Sequence, residues 1–434
     1  MVVHAMVAIY ILARHRIRSV ALLLVVSLVI RVGLVFWDLN LSHIVSLPNS
    51  GLDSEMFFNY ARAVAQDPSL LSVDIRGGAF SKLFGTLFWV TGPLRIFGQY
   101  TNVLFGMSLV LVVGLITDLL PLDREQTVKV MAVVALLPNS LILSSIFLRE
   151  SVVGFLVASS AYFFARWFQS GRGTFLIWTA VMVLVGATFH AAVIAVGIGY
   201  VCVSIVYQPT RRCFGVSLQG LAYLAIAAAM VLAVVAKNPD VFLGKFDGYG
   251  SEEILFGDVN RRSGGSQYLS GLTISSYPEL LLFGPLRAVY FLGAPMPWDI
   301  RGLVDAATFL SDSVLYLGAP FLFLRRRKLL GRNERLLGYA LMISIVISSI
   351  VFGAGVSNAG TAARHRFKLA GLFFALIALS KTSNSDPAAP SLKQVSSSLR
   401  KPAPLSRSTA TLRISERGVA VQSLEVTSLR KSRR

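Results

Sequence analysis

Long apolar stretches recur along the first 380 residues of the chain, among them 20–30, 103–116 and 221–236. A helix needs only about 20 predominantly apolar residues to cross a bilayer. The pattern predicts an all-α, polytopic transmembrane helical bundle of about ten spans, near 19–37, 100–120, 129–147, 150–167, 174–189, 190–207, 216–236, 302–324, 336–355 and 366–380. Residues 1–380 form the membrane domain, with two large extracytoplasmic loops, about 38–99 and 237–301, and juxtamembrane helices.

Three stretches need separate treatment. Residues 81–97 are apolar enough to cross but contain Gly85, Gly92 and Pro93, and are read as a juxtamembrane or re-entrant helix on the outer side. Residues 277–291, with Glu279, Pro285 and Arg287 ahead of the Pro-rich 293–298, admit either a span or an interfacial element; the latter is a rigid wedge or a lid. A single helix over 174–207 would be about 51 Å long, too long for one crossing, so a turn is expected at 186–190.

Basic residues orient the bundle, because cytoplasmic loops carry an excess of Lys and Arg. An even number of spans places both termini in the cytoplasm, with Arg325, Arg326, Arg327 and Lys328 as the strongest inside loop and Arg166, Arg172, Arg211 and Arg212 on the same side. The expected location is the cell inner (plasma) membrane, multi-pass.

Composition excludes a soluble enzyme: 54% of residues are hydrophobic and 15% charged, against about 25% charged in soluble domains. The net charge of +19 is not a nucleic-acid footprint, since residues 381–434 alone hold 11 Lys and Arg against 3 Asp and Glu, and much of the rest falls in short loops. That basic tail lacks hydrophobic periodicity and is expected to be a disordered cytoplasmic segment. Cys202 and Cys213 have no metal-ligand spacing and are not expected to form a bridge. Phosphate loops, dinucleotide fingerprints, nucleophile elbows and metal clusters are absent from the sequence, so no cofactor is firmly implied.

The candidate chemistry lies in position. Asp53, Glu55, Arg62, Arg149, Glu150, His190, Arg261, Arg262, Arg287, Asp299, Arg364, His365 and Arg366 all fall in outer loops or near outer helix ends. Ionisable groups at membrane depth are costly unless they face a cavity or a partner, which points to one outward-facing polar cavity. Asp53 either caps the helix that starts near Gly51 or takes a proton from a sugar hydroxyl, with Glu55 as a second carboxylate or a ligand for a divalent metal. Arg149 and Glu150 are adjacent and cannot face each other on a helix. Arg149 binds phosphate that Glu150 orients, or the two join interhelical salt bridges. Arg364, His365 and Arg366 are read as standing at a helix N-terminus, where the dipole favours an anion such as phosphate. His190 lies between two apolar segments, as an interior hydrogen-bonded group or a substrate contact. Arg31, inside the first span, is expected to snorkel or to pair with an acid.

These residues resemble the GT-C-type glycosyltransferases that use polyprenyl-phosphate sugars, and related bacterial polysaccharide-assembly membrane proteins. The resemblance rests on Asp53 and Glu55 after the first span, on the helix over 138–150, and on Gly360-Thr-Ala-Ala-Arg-His-Arg near the end, and covers about 19–170. It implies a polyprenyl-phosphate-linked sugar donor, a glycan or lipid-linked acceptor, membrane lipid as surroundings, and Asp53 as general base at the outer face. The chain departs from that pattern in having neither a paired-acid motif in the second outer loop nor a large C-terminal extracytoplasmic domain. An O-antigen-polymerase-like enzyme, relying on Arg261, Arg262, Arg364 and Arg366, is the second expectation, and a lipid-linked sugar flippase or transporter is the third.

Overall fold

The computed structural model describes residues 18–209, 211–215 and 265–382, with a few positions between them. Most of the span expected at 216–236, together with Arg261, Arg262 and the tail from 383 onward, lies outside the described residues.

The chain starts with α1 (Arg18–Asn40), followed by α2 (Leu52–Gln66) and α3 (Gly78–Thr91) in the first large loop. Next come α4 (Arg95–Thr117), α5 (Arg124–Leu136), α6 (Pro138–Ser145), α7 (Glu150–Ser170), α8 (Gly173–Phe189) and α9 (Ile194–Val206). A two-residue hairpin pairs Tyr207 with Phe214 and Gln208 with Cys213. The chain then forms α10 (Tyr277–Gly293), α11 (Leu303–Leu329), α12 (Arg332–Ala354), α13 (Ala359–Lys368) and α14 (Ala370–Lys381).

The architecture is all-α, and several of its helices suit a multi-pass membrane protein. Among the described residues, five are long and apolar enough to cross a bilayer, namely α1, α4, α7, α11 and α12, and the bent pair α5–α6 makes a sixth. This is fewer than the ten spans expected from hydropathy. The apolar stretches at 174–189, 190–207 and 366–380 form helices of 17, 13 and 12 residues, roughly 26, 20 and 18 Å at 1.5 Å per residue, each less than the hydrocarbon thickness of about 30 Å. The turn expected at 186–190 falls at His190, whose backbone is extended (φ −156°, ψ 105°).

The α5–α6 break has a local cause. Pro138 lacks an N–H and forces Leu137 out of the helical region (φ −56°, ψ 123°), and the two helices meet at 50°. The carbonyl of Ala135, in the last turn before the break, accepts from Ser27 Oγ at 2.8 Å and from Arg31 Nη1 at 2.9 Å. Arg31 also donates to Ser140 Oγ and Ser144 Oγ of α6, at 2.9 and 2.8 Å. It is fully buried. Arg31 neither snorkels nor pairs with an acid: its guanidinium joins α1 to both halves of the broken helix.

α7 is the most deeply buried of the long helices and packs on α4, α8, α13 and α14. Gly371 lets α14 approach so closely that a Cβ there would meet the Ala158 backbone of α7, the small-residue contact that lets membrane helices pack tightly. Gly371→Val is expected to lower stability by about 1–3 kcal/mol, read as an earlier thermal transition in detergent.

The apolar stretch 81–97 does not form one continuous helix. α3 has 14 residues, about 21 Å, and ends at Gly92, whose φ of +79° turns the chain. Phe57 of α2 packs on Phe80 of α3, and Phe58, Phe80, Phe84 and Phe88 surround Phe147, with ring centroids 4.8 Å apart for Phe84 and 5.2 Å for Phe80. Trp89, Val90 and Leu94 remain exposed.

Helix ends collect at two opposite poles. Leu120, Gln169, Arg212 and Glu334 line one cavity of about 270 Å³, close in sequence to the basic run Arg325–Lys328. Asp53, Glu150 and Arg364 meet at the other pole, along with Phe189.

Candidate functional site

The candidate site is organised by α13. Asn358 caps it, its Oδ1 accepting from Gly360 N at 2.9 Å and Thr361 N at 3.2 Å. Arg364, His365 and Arg366 therefore stand in its second half, not at its N-terminus as the sequence suggested. Cations there complement the helix dipole, and no anion is needed to relieve them. A spacing of four puts Arg364 and Lys368 on one face, while Arg366 points elsewhere.

Arg364 is the hub. Its Nη1 donates to Asp53 Oδ2 at 2.7 Å, and its Nη2 and Nε to Glu150 Oε1 at 3.0 and 3.3 Å. Lys368 Nζ, fully buried, lies 3.4 Å from the same Glu150 oxygen. One guanidinium thus connects α2, the start of α7 and α13, over sequence separations of 311 and 214 residues. Burial works against the charge of Arg364, but the Glu150 and Asp53 carboxylates more than offset it and raise its pKa. Glu150 is buried, whereas the Asp53 side chain is 48% exposed. Asp53 does not cap α2, because Gly51 occupies that position without a side-chain bond. It stands in the first turn and is available from solvent.

The remaining candidates have distinct neighbours. Glu55 pairs with Arg95 of α4. Arg95 also donates to Ser54 Oγ at 3.1 Å and approaches Asp38 Oδ2 at 3.8 Å. Glu55 is therefore an anchor of α2. Among the described residues no group of three His, Cys, Asp or Glu is placed to hold a metal ion. Arg149 packs its guanidinium over the Phe57 ring at 5.5 Å and donates to the Phe189 carbonyl at 3.0 Å. Desolvation lowers its pKa. His190 stacks on Phe352 at 5.2 Å and meets His365 edge-on at 4.9 Å, so both histidines line the side of the cluster.

Arg366 does not belong to the Arg364 cluster. It is fully buried, donates to the Leu292 carbonyl at 2.6 Å and to Ser313 Oγ at 3.3 Å, and lies over the Tyr316 ring. Asp312 lies in this second network, accepting at 2.6 Å from Asn139 Nδ2, which also donates to the Ala363 carbonyl at 2.9 Å. This network sets Arg366 apart from the Asp53–Arg364 pair. Arg366→Leu is expected to lower thermal stability, since it leaves the Leu292 carbonyl and the buried Ser313 Oγ without their donor, read as an earlier unfolding transition in detergent.

Sequence reading overlooked Lys368, Arg95, Asp312 and Asn139. Lys368 carried a usable signal, a second cation one helical turn after Arg364, and Asp312 was a carboxylate in the middle of an apolar stretch. Arg95 and Asn139 carried none, because their partners are 40 and 173 residues away.

Compared with known proteins, the chain matches no family model and no curated protein.

Proposed function

We propose that this protein is a membrane glycosyltransferase of GT-C-like type that transfers a sugar from a polyprenyl-phosphate-linked donor at the extracytoplasmic face, in the assembly of cell-surface polysaccharide. The observation that carries the reading is the half-exposed Asp53 carboxylate held on Arg364, beside buried Glu150. A base open to solvent and a guanidinium fork stand within one hydrogen bond of each other, as transfer from a phosphate leaving group requires. Arginine forks bind phosphate bidentately. A donor phosphate that takes the place of Asp53 on Arg364 frees the carboxylate as the acceptor arrives. The acceptor O–H proton then passes to Asp53 and its oxygen bonds to the anomeric carbon. The bond from that carbon to the phosphate oxygen breaks with its electron pair, and Arg364 neutralises the released polyprenyl phosphate. No step is routed through a metal.

This reading places the Asp53 pole outside and the Arg325–Lys328 pole in the cytoplasm. It also keeps about ten crossings in an inner membrane, with α8, α9 and α14 as short spans. A polymerase reading has one observation in its favour: Arg364, not Asp53, is the connected hub, and Asp53 can serve it merely as counter-ion. Clustering of the ionisable groups at one pole weighs against a flippase.

Binding of undecaprenyl phosphate to the purified protein in nanodiscs tests the donor site. Arg364→Lys is expected to weaken binding about tenfold, since charge survives but the fork does not, and Arg366→Lys to leave it unchanged. Equal affinity in wild type and Arg364→Lys would remove Arg364 from the donor site.

A further inference from the structure

A second cavity, of about 260 Å³, opens beside the N-terminal end of α13. Its walls are Gln267, Tyr268, Pro295, Trp298, Asp299 and Arg301. The loop that carries Gln267 is sutured to the α12–α13 turn: Tyr268 N donates to Ser357 O at 3.0 Å, Ala359 N to Ser266 O at 2.9 Å, and Tyr268 Oη to Val356 O at 2.9 Å. The opposite wall is also held, because Arg301 donates to Asp305 Oδ2 at 3.0 Å and to the Gly265 carbonyl. The cavity is therefore preformed, and it is slightly smaller than the ~300–1,000 Å³ clefts that enclose a drug-sized ligand.

Its chemistry selects among ligand classes. An anion meets Asp299 inside the cavity, while the Arg301 charge is already engaged by Asp305. A metal ion meets no trio of ligands among the described residues. A purely apolar ligand would bury the amide, carboxylate and guanidinium of the walls without partners. What fits is a neutral polyhydroxylated ring with one apolar face: C–H groups against the Trp298 indole, which is 71% exposed, and hydroxyls against Asp299, Gln267 and Arg301. We infer that this cavity binds one sugar unit of a glycan. It touches Ala359, five residues before Arg364 on the same helix, about 7.5 Å of helical rise. Assignment of that sugar to the acceptor rests on the function proposed above; the binding itself does not.

Ligand-observed saturation-transfer NMR on the full chain in nanodiscs tests this, with methyl glycosides of glucose, mannose, galactose and N-acetylglucosamine as probes. At least one glycoside should receive saturable transfer, strongest on the protons of one ring face. Trp298→Ala should weaken its apparent affinity about five- to tenfold and Trp298→Phe less, since a phenyl ring retains part of the stacking. Asp299→Asn, which preserves volume, should weaken it comparably. Unchanged transfer in Trp298→Ala, or no transfer to any of the four probes, overturns the inference. So does strong quenching of the Trp298 fluorescence by brominated phosphatidylcholine, which would make the indole a bilayer anchor. Glycoside binding without sugar transfer from any lipid donor would sink the proposed enzyme and spare this site; transfer without glycoside binding would do the reverse.

Discussion

Arg364→Ala is expected to cause the largest loss of stability of any single substitution at the Asp53 pole. It removes three hydrogen bonds, at 2.7 Å to Asp53 and at 3.0 and 3.3 Å to Glu150, and it leaves the buried Glu150 with Lys368 alone at 3.4 Å. Breaking a buried ion pair by removing one partner costs about 3–5 kcal/mol, because the other charge stays desolvated and under-compensated. Thermal unfolding in detergent, followed by tryptophan fluorescence, should report this as a markedly earlier transition. Arg364→Lys should fall between, with its charge retained and its fork lost. A cycle with Glu150→Gln should show coupling of about 0.5–3 kcal/mol, as for residues in direct contact. An Arg364→Ala protein as stable as wild type would mean that the hub carries no structural weight.

Asp53→Asn should act on turnover instead. The side chain is half exposed and in the first turn of α2, so its amide keeps size and position, and Arg364 retains Glu150. The loss of a surface-accessible ion pair is worth only about 0–1 kcal/mol. The proton acceptor, however, is gone, and sugar transfer should fall by roughly 10²- to 10⁴-fold with binding of polyprenyl phosphate retained or improved, since a competing carboxylate has left the fork. A polymerase that uses Asp53 only as counter-ion would keep its turnover.

Membrane class, the helices of the first large loop and the convergence of three distant segments on one pole were legible from residue type and helix-end position. Asp53, Glu150 and Arg364 could be brought together on paper because each is an ionisable group that must find a partner at the same depth. What was not legible is which guanidinium meets which carboxylate. Arg364 and Arg366 look equivalent in sequence, yet two residues of α-helix turn them to different faces, one onto Asp53 and Glu150 and the other into the Ser313–Tyr316 network. Misplacing the start of α13 had the same root: Asn358 was not read as its cap, so a helix interior passed for an N-terminus. The span count exceeded the long helices because hydropathy counts apolar residues, whereas 174–189, 190–207 and 366–380 form helices of only 17, 13 and 12 residues and most of 216–236 lies outside the described residues.

Side-resolved sugar transfer in proteoliposomes addresses the central claim most directly. Protein with a single cysteine at position 50, next to the Asp53 helix, is oriented by labelling with a membrane-impermeant maleimide. A panel of undecaprenyl-phosphate sugars and a soluble glycan acceptor confined to one side are then supplied. Product should form only when the acceptor is on the face where that cysteine labels, and Asp53→Asn should abolish it. Product formed from the Arg325–Lys328 face, or turnover equal in wild type and Asp53→Asn, would contradict an outer-face transferase built on Asp53 and Arg364.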